Sequence, residues 1–212
     1  MKTLIAIPCM STVPYEFSKS MDYLVKGDSV SILYKPDSLI YDSRNLISLT
    51  AIENDFDRVM WFDSDIVFQP DTLQVLHKDM DECACEMVSG LYFKRSLPTS
   101  PVIYERLEEP ARMPDGHLAK QIVPYMNYPQ NDVFKVRGCG FGCVLTSTKL
   151  LKAVWDKFGP AFAPFMWAGE DLSFCHRVNQ LGYDIYCDSS VSCGHVGTFI
   201  YTEDLFKRGD VT

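Results

Sequence analysis

Nowhere in its 212 residues does the chain carry the roughly 20 consecutive apolar residues that a bilayer-spanning helix requires. Its start, Met1-Lys-Thr-Leu-Ile-Ala-Ile7-Pro8-Cys9, imitates a secretory leader for only a few positions. The apolar run ends at Ile7-Pro8, short of the usual core of about 7–15 residues, so a first β-strand and a cytoplasmic location are expected. The eight cysteines (Cys9, Cys83, Cys85, Cys139, Cys143, Cys175, Cys187, Cys193) include no CxxC pair, the usual spacing of a structural zinc site. Without a leader they are expected to stay reduced thiols, and most have the small or apolar neighbours of a buried cysteine. Basic residues are in deficit, 20 Lys and Arg against 28 Asp and Glu for a net charge of −8, which argues against a broad nucleic-acid surface. The same balance suits an enzyme that recruits a metal to handle an anionic substrate. No GxGxxG follows the first strand, which disfavours an ordinary dinucleotide fold. Internal repeats, low-complexity tracts and linkers are missing as well, leaving one domain over 1–212.

What is present begins with a core: 47% hydrophobic and 13% aromatic residues exclude a disordered chain. The most informative stretch is Arg58-Val-Met-Trp-Phe-Asp63-Ser-Asp65-Ile-Val-Phe68. Val59–Phe62 is short, consecutively apolar and rich in β-branched and aromatic residues, the pattern of a buried strand. Two acids one residue apart at its end are costly unless something positive lies there. Two readings stand: a divalent cation held by Asp63 and Asp65 with a diphosphate completing its oxygen shell, or a strand-end turn in which aspartate caps backbone amides.

Strands and helices alternate along the chain. Expected are a strand at Thr3–Pro8, a helix at Tyr15–Lys26, a strand at Ser29–Tyr34, and a helix capped by Ser38 and running to Asn54. In that helix Leu39, Leu46, Leu49 and Ile52 would form the apolar stripe. A strand at Arg58–Asp63, a helix from Pro70 to Met80 and a strand at Met87–Phe93 follow. This βαβαβ opening points to a parallel sheet, with ligands gathered at the carboxyl ends of its strands. Between Lys94 and Lys135, Pro98, Pro101, Pro110, Pro114 and Pro124, with the polar run Glu105–Gly116, suggest loops and short antiparallel strands such as Pro101–Glu105.

Gly138, Gly140 and Gly142 stand at alternate positions, which on one strand would put three missing side chains on one face. Another backbone or a flat ligand would then approach that face. A helix at Leu150–Phe158 comes next. In Trp167-Ala-Gly169-Glu170-Asp171-Leu-Ser-Phe-Cys-His176, Gly169 precedes a helix with Leu172, Phe174, Cys175, Val178 and Leu181 facing the core, closed by Gly182. Glu170 and Asp171 in its first turn suit the helix dipole, and one of them is equally a candidate general base in a cleft. After a strand at Asp184–Cys187, His195 stands between Gly194 and Gly197, exposed enough to bind a metal, although a lone histidine usually is not a ligand.

Together these features resemble the GT-A-type nucleotide-sugar glycosyltransferases, particularly glycosyltransferase family 2 and its small bacterial and viral relatives. The resemblance covers most of the chain. It rests on the strand ending Ile7-Pro8, on Asp42-Ser-Arg44-Asn45, on the DXD-spaced Asp63-Ser-Asp65, on Gly138-Cys-Gly140, on Gly169-Glu170-Asp171 and on Gly194-His195. It implies an α/β fold: a single GT-A, Rossmann-like domain with a mostly parallel central sheet, flanking helices and a small antiparallel portion. Residues 1–93 would form a nucleotide-binding half, and 94–212 an acceptor-side half with the C-terminal tail.

By the same resemblance Pro8 and the loop after it would border the base of a nucleotide sugar, with a UDP-sugar favoured. Asp42 and Arg44 would reach the nucleotide, unless both are simply solvated on an amphipathic helix. Asp63, Asp65 and His195 would hold Mn²⁺ or Mg²⁺, the nitrogen ligand leaning toward Mn²⁺. Arg95 would contact the donor or stand as an exposed charge. Asp171 would be the general base of an inverting transfer and Glu170 would position the acceptor or the water network. The acceptor would be a glycan, a lipid-linked group or a protein, and the tail Thr198–Thr212 a lid over the donor. Two other classes compete: a non-catalytic nucleotide-sugar-binding protein of the same fold, and a nucleotidyltransferase. The second usually needs a Gly- and Lys/Arg-rich phosphate loop, and Met10-Ser-Thr-Val-Pro14 is not one.

Overall fold

The computed structural model describes residues 1–36, 38–113, 115–116 and 118–208. The last residues of the expected lid, 209–212, therefore lie outside the described residues. Strand β1 (Thr3–Cys9) is followed by helix α1 (Tyr15–Tyr23), β2 (Val30–Pro36), α2 (Ile40–Glu53) and β3 (Arg58–Phe62). β1 lies between β2 and β3 and is parallel to both, with Ile5 opposite Ile32 and Met60. Its uninterrupted apolar run is explained by burial on both faces. Leu4 and Ala6 enter one core cluster while Ile5 and Ile7 enter the other, and Trp61 and Phe62 divide in the same way. Trp61 is fully buried and its indole N–H donates to Thr146 Oγ1 at 2.9 Å. Burying a side chain of that size contributes about 3 kcal/mol only if its polar atom is satisfied.

The chain continues through β4 (Ile66–Val67), α3 (Thr72–Glu82), β5 (Met87–Leu91), a hairpin of β6 (Ile103–Arg112) and β7 (Leu118–Pro124), β8 (Val133–Val136) and β9 (Gly138–Cys139). It ends with β10 (Cys143–Ser147), α4 (Thr148–Phe158), α5 (Glu170–Gln180), β11 (Ile185–Ser192), β12 (Gly194–Val196), β13 (Ile200–Tyr201) and α6 (Glu203–Arg208). The central sheet has seven strands in the order β2-β1-β3-β10-β5-β11-β8. β10 and β8 run against the other five, so the sheet is mainly parallel with an antiparallel component, as expected.

Several local expectations are corrected. The polar run Glu105–Gly116 is mostly hairpin rather than loop: Ile103, Tyr104 and Leu107 are buried, and the charged residues of β6 face water. Helix α2 begins at Ile40 with no side-chain cap, and the Ser38 hydroxyl instead meets that of Ser43. Its buried face is Ser43, Arg44, Ile47, Ser48 and Ala51, whereas Leu39 and Leu46 are exposed. The three glycines do not share one strand face, because the chain leaves β9 after Cys139 and re-enters the sheet at Cys143. Side chains, rather than another backbone, approach them. A Cβ at Gly140 would overlap the Tyr92 hydroxyl, one at Gly142 would lie 2.8 Å from Tyr92 Cζ, and one at Gly138 would lie 2.8 Å from Leu107 Cδ2.

Candidate active site

The carboxyl ends of β1 and β3 open into a cleft of about 400 Å³. Pro8, Asp63, Asp65, Arg95 and His195 line it, together with Met10 and the start of α2 at Leu39 and Ile40. A volume of this order suits a small-molecule ligand.

A tight turn at the end of β3 sets the two acids. The Asp63 N–H donates to the Gly142 carbonyl at 3.1 Å, and the Ile66 N–H donates back to the Asp63 carbonyl at 3.1 Å. The Val196 N–H donates to the Asp65 carbonyl at 2.8 Å, bringing β12 and its histidine to the turn. The two carboxylates then diverge. Asp63 Oδ1 pairs with Arg44 Nη2 at 2.7 Å. Asp65 pairs with Arg95 Nη1 at 2.8 Å and lies 3.5 Å from His195 Nε2. Burial alone would raise the Asp65 pKa, but the hydrogen bond and charge from His195, with the Arg95 charge, outweigh it and hold the pKa below the usual value.

His195 Nδ1 lies 2.8 Å from the Phe93 carbonyl, which can only accept, so Nδ1 carries a hydrogen. Nε2 therefore faces a carboxylate oxygen, an arrangement satisfied by a second proton or by a cation between them. An oxygen and a nitrogen donor so placed fit a divalent ion of the Mn²⁺ type. Asp63 lines the same cleft but is held elsewhere. Among the described residues no three His, Cys, Asp or Glu side chains converge closely enough to hold a metal by themselves.

Arg44 is buried, with a side chain 2% exposed, and does not line the cleft. Its Nη1 donates to Glu170 Oε1 at 3.0 Å, and its guanidinium lies over the Phe141 ring at 5.1 Å. Burial works against its charge, yet Asp63, Glu170 and Asp171 outweigh that and raise its pKa. Asp171, in the first turn of α5, accepts from the Leu172 N–H at 2.7 Å. Burial, then the charges of Glu170 and Asp63, push its carboxyl up to about 6 against the opposing pull of Arg44. Asp42 is exposed and does not line the cleft; it borders a second groove, against Trp155 and Pro164, that adjoins the cleft at Ser38.

Sequence reasoning missed the buried Tyr92, whose hydroxyl accepts the Gly142 N–H at 3.2 Å and whose ring packs edge-on to His195 at 5.5 Å. The alternate glycines were the available signal, since they leave room for that ring. Leu39 and Ile40 were missed too, and no spacing marks them.

No protein-family model and no curated protein sequence matches the chain. Solved structures do. The crystal structure of A197 from STIV aligns with a TM-score of 0.64 and 23% identity, over 93% of this chain and 86% of that one. The crystal structure of GalNAc-T7 with UDP, GalNAc and Mn²⁺ aligns with a TM-score of 0.61 and 9% identity, over 94% of this chain. There the chain spans only 44% of the GalNAc-T7 chain. Among the described residues no helix is long and apolar enough to cross a membrane. At these identities the likeness speaks for architecture, and the architecture is that of a single GT-A domain.

Proposed function

We propose that the protein is a metal-dependent glycosyltransferase that moves a sugar from a nucleoside-diphosphate donor, UDP favoured, to an acceptor hydroxyl with inversion. One observation carries this reading: Asp63, Asp65, Arg95 and His195 meet in one cleft at the carboxyl ends of β1 and β3. The salt bridges of Arg44 join that cleft to the first turn of α5. That GalNAc-T7 was solved with UDP and Mn²⁺ supports the choice of donor and ion.

Asp65 and His195 would hold Mn²⁺ or Mg²⁺, with Asp63 at the same cleft wall. When bound, the cation neutralises negative charge on the departing diphosphate. Pro8 borders the nucleotide base, and Arg95 contributes a positive charge beside the diphosphate. Asp171 takes the proton of the acceptor hydroxyl as it attacks the anomeric carbon. A carboxyl near 6 is largely ionised at neutral pH yet more basic than an ordinary aspartate, which suits a general base. Glu170, pinned by Arg44, positions the acceptor side. The acceptor is a glycan, a lipid-linked group or a protein, and a cytoplasmic location is part of the same proposal.

The test is a calorimetric titration of UDP and GDP, with Mn²⁺ and with EDTA, on wild type and Asp65→Ala. Metal-dependent UDP binding that is lost in the variant supports the donor site. No binding of either nucleotide under any condition sinks it. Binding without hydrolysis or transfer of any UDP-sugar points instead to a non-catalytic nucleotide-sugar-binding protein.

A further inference from the structure

The geometry points to Arg44 as a positioning residue that yokes the donor-side carboxylate Asp63 to the acceptor-side carboxylate Glu170 while touching neither substrate. What the yoked groups do rests on the glycosyltransferase reading; the yoke itself does not.

Arginine is among the residues least often buried, and a buried charge is tolerated only when paired. Arg44 is 2% exposed on the inner face of α2, and its two terminal nitrogens are divided between two elements. Nη2 takes Asp63 at the end of β3 and Nη1 takes Glu170 at the start of α5. Phe141 and Phe162 flank the guanidinium at 5.1 and 5.9 Å, which fixes the direction of the fork. The Nε hydrogen is left buried without a partner. A fold seeking only stability would do as well with an apolar residue among apolar neighbours. Here one orphaned donor is accepted, and the fork holds both acids in fixed directions.

Exposure gives the direction of the effect. Asp63 and Glu170 are 30% and 18% exposed, so both reach solvent while the group between them does not. Glu170 does not line the donor cleft, whereas Asp63 does. Arg44 bonds to both, so it offers a direct route by which Glu170 can influence donor binding. Lysine keeps the charge but is a point donor without the planar fork, so it cannot hold two carboxylates in fixed directions.

The experiment is a thermodynamic cycle on the full chain. Asp63→Asn, Glu170→Gln and the double variant are made with Arg44 and with Arg44→Lys, and Tm and the Kd for UDP with Mn²⁺ are measured. With Arg44 in place, the Tm changes are expected to miss additivity by about 2 °C or more, as for residues sharing one partner. Glu170→Gln is expected to weaken UDP several-fold with Arg44 and to have no effect with Arg44→Lys. Additive Tm changes in the Arg44 background overturn the yoke. So does an equal effect of Glu170→Gln on UDP in both backgrounds. If wild type does not bind UDP, the functional reading falls and the Tm cycle alone decides the yoke. If Arg44→Lys does not fold, the cycle in the Arg44 background decides it.

Discussion

Asp63 and Glu170, beside the cleft, share a guanidinium; Asp79 and Asp188, where α3 lies against β5 and β11, share no cation. The second pair is the more deeply buried, at 6% and 2% exposure, and among the described residues neither member forms a salt bridge. Asp188 accepts from the Ser190 N–H at 2.7 Å and from the Ser190 hydroxyl at 2.8 Å, while one Asp79 oxygen has no partner. Burial first, then the hydrogen bond and charge of Asp188, push Asp79 up to about 7. Here a proton removes the charge; at the cleft an arginine is paired with two carboxylates. Burying a charge is costly, and the fold buries this arginine where one of its partners, Asp63, lines a ligand-sized space.

The largest expected effect tests whether the arginine side of this comparison does chemistry. Asp171→Asn should lower turnover of a UDP-sugar by about 10²–10⁴-fold, the usual contribution of a general base, and leave UDP affinity nearly unchanged. In wild type the rate should fall as the pH drops below about 6, because the base must be ionised and burial raises its pKa. Equal rates in variant and wild type would remove Asp171 from the mechanism. Next, Asp65→Ala should weaken Mn²⁺-dependent UDP binding by at least about 10-fold in calorimetry, since losing a ligand costs no less than losing its support. A variant that binds as wild type does would make Asp65 a turn residue only.

A smaller change should show the opposite behaviour of the proton-sharing pair. Asp79 holds a proton in the folded state between its unfolded value near 4 and about 7, so native stability falls as pH rises through that window. Asp79→Asn should flatten that slope and raise Tm at pH 8 by about 2–4 °C, the effect of about 1 kcal/mol in a chain of this size. A lowered Tm at pH 8 would mean that the Asp79 carboxylate is needed and would erase the contrast. Smallest of all, Asp42→Ala should change stability by less than about 0.5 kcal/mol and leave UDP affinity alone, because Asp42 is exposed and does not line the cleft.

Much of the architecture was legible because it is local. The apolar runs of β1, β3 and β5 and the cap-to-glycine span of α5 each follow from short-range pattern. The candidate cleft was legible where acids interrupt such a pattern, at Asp63-Ser-Asp65, while Glu170-Asp171 drew notice as acids in a first helical turn. Arg44 was legible only as a candidate for the nucleotide. A stripe drawn through leucines places charged residues outside, and only the tertiary partners of Arg44 turn the helix around. Small residues at Ser43, Ser48 and Ala51, which allow close packing of α2, were the overlooked sign. The β6–β7 hairpin hid for a related reason. With only Ile103, Tyr104 and Leu107 buried on β6, its outer half has no apolar alternation to read.

The place of β10 also bears on how the protein is made. That strand lies between β3 and β5 in space yet follows both in the chain, so β5 has no ladder joining it to β3 until residue 147 has been synthesised. A ribosome that has released only the first 93 residues presents two apolar strands with an open slot between them. Non-local pairing of this kind is slow and exposed to aggregation until the missing strand arrives. A gene cut at that point should yield an insoluble N-terminal fragment that recovers only when 94–212 is supplied alongside it.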